Sequence, residues 1–413
     1  MQISRELKTI IAYASIFIIG CLLAPNIYVW GNNDRNCWIT WSNYINYFGI
    51  QNVYKLKVDY PPLWHYFLWF FSKTNTSPES IYMRVYHLKY LVFFIEIISL
   101  FVVYKILAIK KIKHAQVLPF LILINIAFWY NNFLFGQMDG VHTGFAFISI
   151  ILAIFKRPTV SLLFMVLCIN FKFQGIIFLP IIFLLIFDEV KGYANLKKLT
   201  TIIPAILLQT MIFMPFILSG DIKLAINSFT ESVGRYPFVT MGAYNVWSLI
   251  FEKPQLVNDN LGIFNFSYNS YGLLAFFGLS AIVLLPFALK SLNIFSKYNK
   301  LNLNLENTLL VSVLIILYFF YFNTQMHSRY SHPIVLFAGT LAILRKDYVR
   351  FLLVSLAVFL NMEGGSKILK GNIMDFETIW FQPWFVSLIF LMVIILYSFD
   401  YVMLIKKNIS WHS

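Results

Sequence analysis

Long runs of apolar residues follow one another along the whole chain, separated mostly by short polar segments. Many of these runs reach the roughly 18–20 residues that an α-helix needs to cross the hydrocarbon core of a membrane. Their apolar positions are continuous and do not alternate, which is typical of membrane helices and not of barrel strands. The pattern therefore predicts an all-α polytopic integral membrane protein.

The runs predict about twelve transmembrane helices within a single membrane domain that covers residues 1–413. Two long polar segments, 31–85 and 219–268, interrupt the series. The approximate bounds of the predicted crossings are Thr9–Trp30, Tyr86–Leu107, Gln116–Tyr130, Val141–Phe155, Ser161–Phe171, Gln174–Phe187, Leu199–Leu218, Tyr271–Leu289, Leu305–Phe322, Ile334–Leu344, Phe351–Leu360 and Pro383–Ile405.

The charged residues support a membrane protein and indicate which of its loops lie in the cytoplasm. Only 12% of the residues are charged, against about 25% in soluble domains. The net charge of +14 indicates contact with anionic lipid headgroups and a role in topology, and no nucleic acid is expected as a partner. Basic loops such as "KKIKH", "KRP" and "RKDYVR" are expected in the cytoplasm. Both termini are then cytoplasmic, and segments 31–85 and 219–268 are external.

The unusual polar residues fall almost entirely on the external side of this map. Ionisable groups near the hydrocarbon slab are costly, so they tend to pair with each other or to line a wet cavity. We therefore expect one polar cavity on the external face, built from Asp34, Asp59, Gln137, Asp139, Lys172, Gln174, Arg235, Tyr236, Asn245, His327, Arg329 and His332.

The stretch "DYPPLWHYFLWFF", from Asp59 to Phe71, places a carboxylate directly before an aromatic segment. Pro61 and Pro62 favour the start of a helix. The aromatic residues predict that this short helix lies in the membrane interface. Asp59 would then be held at the boundary of water and lipid, either as a helix cap or in contact with a substrate.

Five separated blocks together resemble the GT-C superfamily of membrane glycosyltransferases, which use polyprenyl-phosphate sugars. Asp34 with "RNCWITWSNYI", and later "DYPPL", is similar to the ER glucosyltransferases that build the N-glycan precursor. The blocks "FGQMDGVHTGF", "NFKFQGIIFLP", "YNVWSL" and "MHSRYSHP" are similar to bacterial and eukaryotic mannosyltransferases related to GPI mannosyltransferase II. The chain departs from those relatives at Ser328, where Glu is usual, and at Ser331, where a large apolar residue is usual.

The resemblance implies an inverting enzyme that moves a hexose, mannose or glucose, to a lipid-linked or cell-surface glycan acceptor on the non-cytoplasmic face. It implies that Asp34 is the catalytic base for the acceptor hydroxyl. Asp139 is expected to contact sugar hydroxyls or a cation, or else to cap its helix. Gln137, Gln174 and Asn245 are expected to bind substrate.

Negative charge develops on the phosphate as it leaves, so cations are expected near it. Arg329 is the first candidate because a guanidinium is always charged and grips phosphate with two hydrogen bonds. Lys172, at the break between two short apolar segments, is the second. His327 is expected either to donate to the same phosphate or to be structural, and Arg235 to bind substrate or a lipid headgroup.

The sequence offers little support for a metal or a cofactor. The external loops contain no D-x-D pair, and Cys21, Cys37 and Cys168 are scattered without metal spacing. We therefore expect the lipid-linked sugar to be a co-substrate and no divalent metal to be required.

Two other functions remain open at this level. A lipid-linked glycan transporter or flippase is expected to have mid-membrane polar residues and paired broken helices. A polysaccharide polymerase or ligase would use a pyrophosphate-linked donor and rely mainly on arginines. The compartment is also open, since "NTS" and "NFS" at Asn75 and Asn265 are possible glycosylation sites, but a bacterial inner membrane is favoured over the ER.

Overall fold

The computed structural model describes residues 5–23, 32–230, 234–294, 298, 300–369 and 379–408. Nearly all of this part of the chain is helical. Its strands β1 (Gly262–Ile263) and β2 (Phe266–Ser267) form one small antiparallel hairpin, with Gly262 opposite Ser267. The fold is therefore all-α, as the apolar pattern predicts.

The helices are numbered in chain order. Up to residue 218 they are α1 (Arg5–Leu23), α2 (Asn32–Phe48), α3 (Pro62–Thr74), α4 (Pro78–Arg84), α5 (His87–Ile109), α6 (Val117–Leu123), α7 (Ile126–Trp129), α8 (Asp139–Ile154), α9 (Pro158–Phe171), α10 (Leu179–Val190) and α11 (Asn195–Leu218). Beyond it they are α12 (Ile222–Thr230), α13 (Trp247–Ile250), α14 (Tyr268–Ser291), α15 (Leu305–Phe322), α16 (Pro333–Arg345), α17 (Tyr348–Ser366) and α18 (Pro383–Asn408).

Seven helical segments in the described residues are long and apolar enough to cross a membrane. They are α5, α11, α14, α15, α17, α18 and the segment Phe173–Val190, in which a 3₁₀ turn continues into α10. Three shorter apolar helices, Leu7–Leu22, Asp139–Ile154 and Pro158–Phe171, accompany them. The protein is thus a helical membrane protein, and the twelve crossings stay a prediction.

One predicted crossing is divided into two helices, one forms a short buried helix, and one ends outside the described residues. The segment Gln116–Tyr130 is divided at Asn125, whose side chain accepts hydrogen bonds from Ala127 N and Phe128 N and so starts a new helix, α7. The segment Ile334–Leu344 becomes α16, whose 13 residues span only about 20 Å and are buried among other helices. The first, Thr9–Trp30, extends beyond the described residues, since 24–31 lie outside them.

Two hydrophobic cores hold the structure together. The larger surrounds α15, most of whose side chains are fully buried, and α15 packs against α14, α16 and α18. The smaller core joins the polar segment 31–85 to the helix bundle through Trp38, Trp64, Phe171 and Phe216. Because α2 and α3 are docked in this way, the residues that they carry are held over the end of the bundle.

The aromatic helix after Asp59 forms where the sequence predicts it, as α3 with Pro62 at its first position. One face of α3 is buried against the protein, and the other is exposed. Trp64 is completely buried against Trp38, with 5.1 Å between the ring centroids, while Trp69 and Phe70 are exposed. The aromatic residues therefore anchor α3 to the protein on one side and leave the other side free for lipid.

Candidate active site

The centre of the site is an ion pair between residues from opposite ends of the chain. Asp34 lies in the first turn of α2, and Arg329 lies in a 3₁₀ turn, Ser328–Ser331, that precedes α16. Arg329 Nη1 donates to Asp34 Oδ2 over 2.8 Å. Gln137 Nε2 donates to the same oxygen over 2.7 Å. Asp34 is thereby fixed by one cation and one amide.

A second, deeper ion pair lies beside the first. The α8–α9 hairpin brings together Asp139, the first residue of α8, and Lys172, which directly follows α9. Lys172 Nζ contacts Asp139 Oδ1, and both side chains are almost completely buried. Arg329 Nε lies 3.9 Å from Asp139 Oδ2. Two carboxylates and two cations therefore form one connected cluster.

The cluster changes how its members ionise. Burial by itself would raise the pKa of Asp34, but Arg329 and the hydrogen bond from Gln137 outweigh it, and the pKa is lowered. Burial lowers the pKa of Lys172 from 10.5 to about 8, although Asp139 opposes the shift. Burial and then Arg329 lower the pKa of His327 to about 3. At neutral pH Asp34 is an anion and His327 is neutral.

A third ion pair lies at the mouth of the site. Arg235 Nη1 is 3.0 Å from Asp59 Oδ2, and both side chains are partly exposed. The N-cap position of α3 belongs to Pro61, with no side-chain cap hydrogen bond. Asp59 therefore joins the two long polar segments, 31–85 and 219–268, and does not cap the helix.

These groups border a cavity of about 620 Å³, a size typical of small-molecule sites. Its polar end is lined by Asp34, Asp59, Lys172, Gln174, Arg235, His327 and Arg329. Its apolar end runs between Phe173–Val190 and α14, over α15, and is lined by Ile176, Ile177, Pro180, Leu273, Phe276, Phe277, Ser280, Leu284, Ile315 and Phe319. We call this apolar end the groove.

Beyond the far end of the groove, ion pairing links the two helices that form its walls. Lys290 Nζ of α14 lies 3.0 Å from Asp188 Oδ2 of α10, and Lys191 Nζ donates to Ser291 O over 3.1 Å. At the near end, Ile176 and Phe277 keep 40% and 61% of their surface exposed. The two membrane helices are thus tied at one end, and the groove between them is accessible at the end that carries the charged cluster.

Most of the predicted site residues meet at this cavity, but in different positions. Gln137 and Asp139 lie behind its wall and act through Asp34, Lys172 and Arg329. Asn245 is not at the cavity. Its amide donates to Phe320 O and Asn323 O, and its side-chain oxygen accepts from Trp247 N. The expected substrate contact of Asn245 is therefore replaced by a structural role in tying the segment 219–268 to the end of α15.

Three tyrosines line the cavity wall, and only Tyr236 was among the residues expected there from the sequence. Tyr60 is next to Asp59, and burial raises its pKa well above 10. The ring of Tyr330 lies 4.8 Å from Lys172 Nζ. Tyr236 and Tyr330 flank the ring of His327, with centroid distances of 6.0 and 5.2 Å. For Tyr60 and Tyr330, the available signal was their position beside predicted residues in "DYPPL" and "SRYS".

The described residues contain no group of three or more His, Cys, Asp or Glu side chains placed to hold a metal ion. Neither the known protein-family models nor the curated proteins give a match to this sequence. The function must therefore be argued from the site. The fold and the site define a helical membrane protein with a charged pocket at one end of its bundle and an apolar groove that leads from that pocket between membrane helices.

Proposed function

We propose that this protein is an inverting glycosyltransferase. It moves a hexose, mannose or glucose, from a polyprenyl-phosphate donor to a hydroxyl of a lipid-linked or cell-surface glycan. The observation that carries the proposal is the continuity of one cavity from the cluster of Asp34, Lys172 and Arg329 into the apolar groove. A ligand that suits both ends has a charged, hydroxylated head and a long hydrocarbon tail.

The polar end matches a sugar phosphate. Arg329 and Lys172 supply positive charge, and the neutral His327 supplies a hydrogen-bond donor for a phosphate oxygen. Tyr60, Tyr236 and Gln174 border the same space, and hydroxyl and amide groups of this kind bind sugar hydroxyls. The groove offers the aliphatic and aromatic surface that an isoprenoid tail requires.

The reaction needs no more than these groups. The oxygen of the acceptor hydroxyl attacks C1 of the hexose from the side opposite the phosphate, and the bond between C1 and the phosphate oxygen breaks. The proton of the hydroxyl passes to Asp34, and polyprenyl phosphate leaves with the bonding electrons. A single displacement of this kind inverts C1. Arg329 and Lys172 stabilise the charge that develops on the phosphate.

The ion pair between Asp34 and Arg329 implies that the donor binds before Asp34 can act as a base. In the structure Arg329 holds Asp34 in its ionised form and lowers its basicity. A donor phosphate competes with Asp34 for the same guanidinium. Donor binding therefore releases Asp34 toward the acceptor and raises its pKa, so that the base becomes effective only when the donor is present.

The proposed localisation is a bacterial inner membrane, with the site on the non-cytoplasmic face and both termini in the cytoplasm. The proposed reaction uses no divalent metal, because two protein cations take the place that a metal often holds beside a phosphate. Loss of transfer on treatment with EDTA, restored by Mg²⁺ or Mn²⁺, would contradict this part of the proposal.

The decisive assay is transfer of radiolabelled sugar from synthetic polyprenyl-phosphate mannose or glucose to lipid-extracted acceptors in membranes. Asp34→Asn keeps the shape of the side chain and removes the base, so we expect the rate to fall by roughly 10²–10⁴. Glu306→Gln is the control, because Glu306 pairs with Arg345 away from the cavity.

Three outcomes would redirect the proposal. Full activity in Asp34→Asn removes Asp34 as the base. Uptake of labelled lipid without formation of a glycosidic bond indicates a transporter. Transfer only from a pyrophosphate-linked donor indicates a polymerase or ligase.

A further inference from the structure

Helix α5 carries two charged residues inside the protein that do not border the main cavity. Lys89 and Glu96 keep only 4% and 2% of their surface exposed, and α5 is one of the segments able to cross a membrane. Ionisable residues within membrane helices are costly and usually mark a function. The mechanism above uses neither of them.

Both residues contact the segment that joins α7 to α8. Lys89 Nζ donates to Phe133 O over 2.7 Å, in the π-helical turn Tyr130–Leu134. Asn132 Nδ2 donates to Glu96 Oε2. A Cβ atom placed on Gly140 would collide with Glu96 Oε1, so any side chain at this position would displace the Glu96 carboxylate. Glu96 therefore contacts both ends of the segment 132–140.

The segment 132–140 carries two residues of the charged cluster. Gln137 donates to Asp34, and Asp139 contacts Lys172. A shift of this segment would move the partners of both the proposed base and one phosphate-binding cation. Glu96 is thus placed to control the geometry of the site without contacting substrate.

A small chamber lies beside Glu96 and His332. Its volume is about 20 Å³, and its polar lining is Glu96, Ser99, Thr143 and His332. Glu96 Oε1 and both ring nitrogens of His332 are buried without a hydrogen-bond partner among the described residues. A water molecule occupies about 10–15 Å³ of such a space and needs two to four partners. The chamber is large enough, and the unpartnered atoms of Glu96 and His332 supply partners on a lining that is otherwise mostly apolar.

We propose that one ordered water molecule binds between Glu96 and His332, and that Glu96 is a positioning residue for Gln137 and Asp139. The water satisfies Glu96 Oε1 and one nitrogen of His332, the residue at the N-cap position of α16. It thereby links α5 to α16, while Asn132 and Gly140 link α5 to the charged cluster. The role in catalysis rests on the proposed function, whereas the water site does not.

The kinetic test compares three variants in the transfer assay, per amount of folded protein. We expect Glu96→Ala to lower kcat by about 100-fold with little change in the KM for the donor, because displaced catalytic groups cost roughly this much. Glu96→Gln keeps an acceptor for Asn132 and should restore kcat to within about threefold of the wild type. Thr308→Val is the control, since Thr308 is also buried with an unpartnered hydroxyl but lies outside the site.

A density map of the wild type that resolves ordered water gives an independent test. We expect a peak within hydrogen-bond distance of Glu96 and His332, and in Glu96→Ala the contact between Gln137 and Asp34 should be lost. Wild-type kcat in Glu96→Ala, failure of Glu96→Gln to restore it, or a well-resolved chamber without water would overturn the proposal. If the wild type transfers no sugar at all, the proposed function fails, and the map alone decides the water site and the positioning contact.

Discussion

At the scale of single residues, the site combines two carboxylates with two cationic side chains. Asp34 and Asp139 face Arg329 and Lys172, so the cluster is close to neutral before any ligand binds. Removal of one member of a buried ion pair leaves its partner uncompensated and costs about 3–5 kcal/mol. Variants that preserve charge are therefore more informative here than alanine substitutions.

Lys172 leads to a prediction about pH. A lysine is a cation below its pKa, and burial has lowered the pKa of Lys172 to about 8. Positive charge at the phosphate is therefore lost as the pH rises through about 8, and the transfer rate should fall on that side of the profile. Lys172→Arg should lower the overall rate but remove this alkaline decline, because arginine stays protonated.

The measurement is the pH dependence of kcat from pH 6 to about 10. Lys290→Arg is the matched control, since Lys290 does not line the cavity and pairs with Asp188. Its profile should equal that of the wild type. An unchanged alkaline decline in Lys172→Arg would show that another group titrates.

At the scale of helices, the main feature is the groove between Phe173–Val190 and α14. Ser280 is a small buried residue of α14 in the groove wall. Ser280→Phe should obstruct the path of a long isoprenoid tail. We expect the KM for a long-chain donor to rise by roughly tenfold, because each buried CH₂ contributes about 0.8 kcal/mol, and the KM for a donor with a short tail to stay the same.

The control for this prediction is Ile282→Phe. Ile282 lies on the same helix but is 62% exposed and does not line the groove. A rise in KM with donors of both lengths would mean that Ser280→Phe disturbs the charged end of the cavity and not the tail.

At the scale of the whole molecule, the site depends on topology. Cys37 borders the cavity one helical turn after Asp34 and is exposed, whereas Cys168 is buried. If the cavity opens on the external face, a membrane-impermeant maleimide should label Cys37 in spheroplasts, and the donor lipid should slow the reaction. Burial, with Asp34 adding to it, raises the pKa of Cys37, so labelling is best measured above about pH 8.

Cys37→Ser provides the control, because it should abolish labelling under these conditions. Labelling of Cys37 only after the membrane is permeabilised would place the site in the cytoplasm. That result would contradict the predicted orientation of the whole chain.

Several parts of the site could be predicted from sequence because they depend on composition and local spacing. The positions of Asp34, Lys172 and Arg329 next to apolar runs indicated one membrane face. The start of α3 at Pro62 followed from the fixed backbone angle of proline. Asn245 was different, since nothing in "YNVWSL" shows that its amide donates to the carbonyl groups of Phe320 and Asn323. Partners of this kind are set by packing between distant segments.

The sequence by itself determined that the protein is a helical membrane protein, because long apolar runs have no stable alternative in water and must satisfy their backbone groups within helices. It also indicated which polar residues lie near one membrane face. Only the tertiary structure decided that Asp34 pairs with Arg329 and that Asp59 pairs with Arg235. It also decided that Glu96 contacts Asn132, in the segment that leads to Gln137 and Asp139. The reason is physical: hydropathy acts locally along the chain, whereas an ion pair between residues nearly 300 positions apart exists only after the helices that carry them have packed.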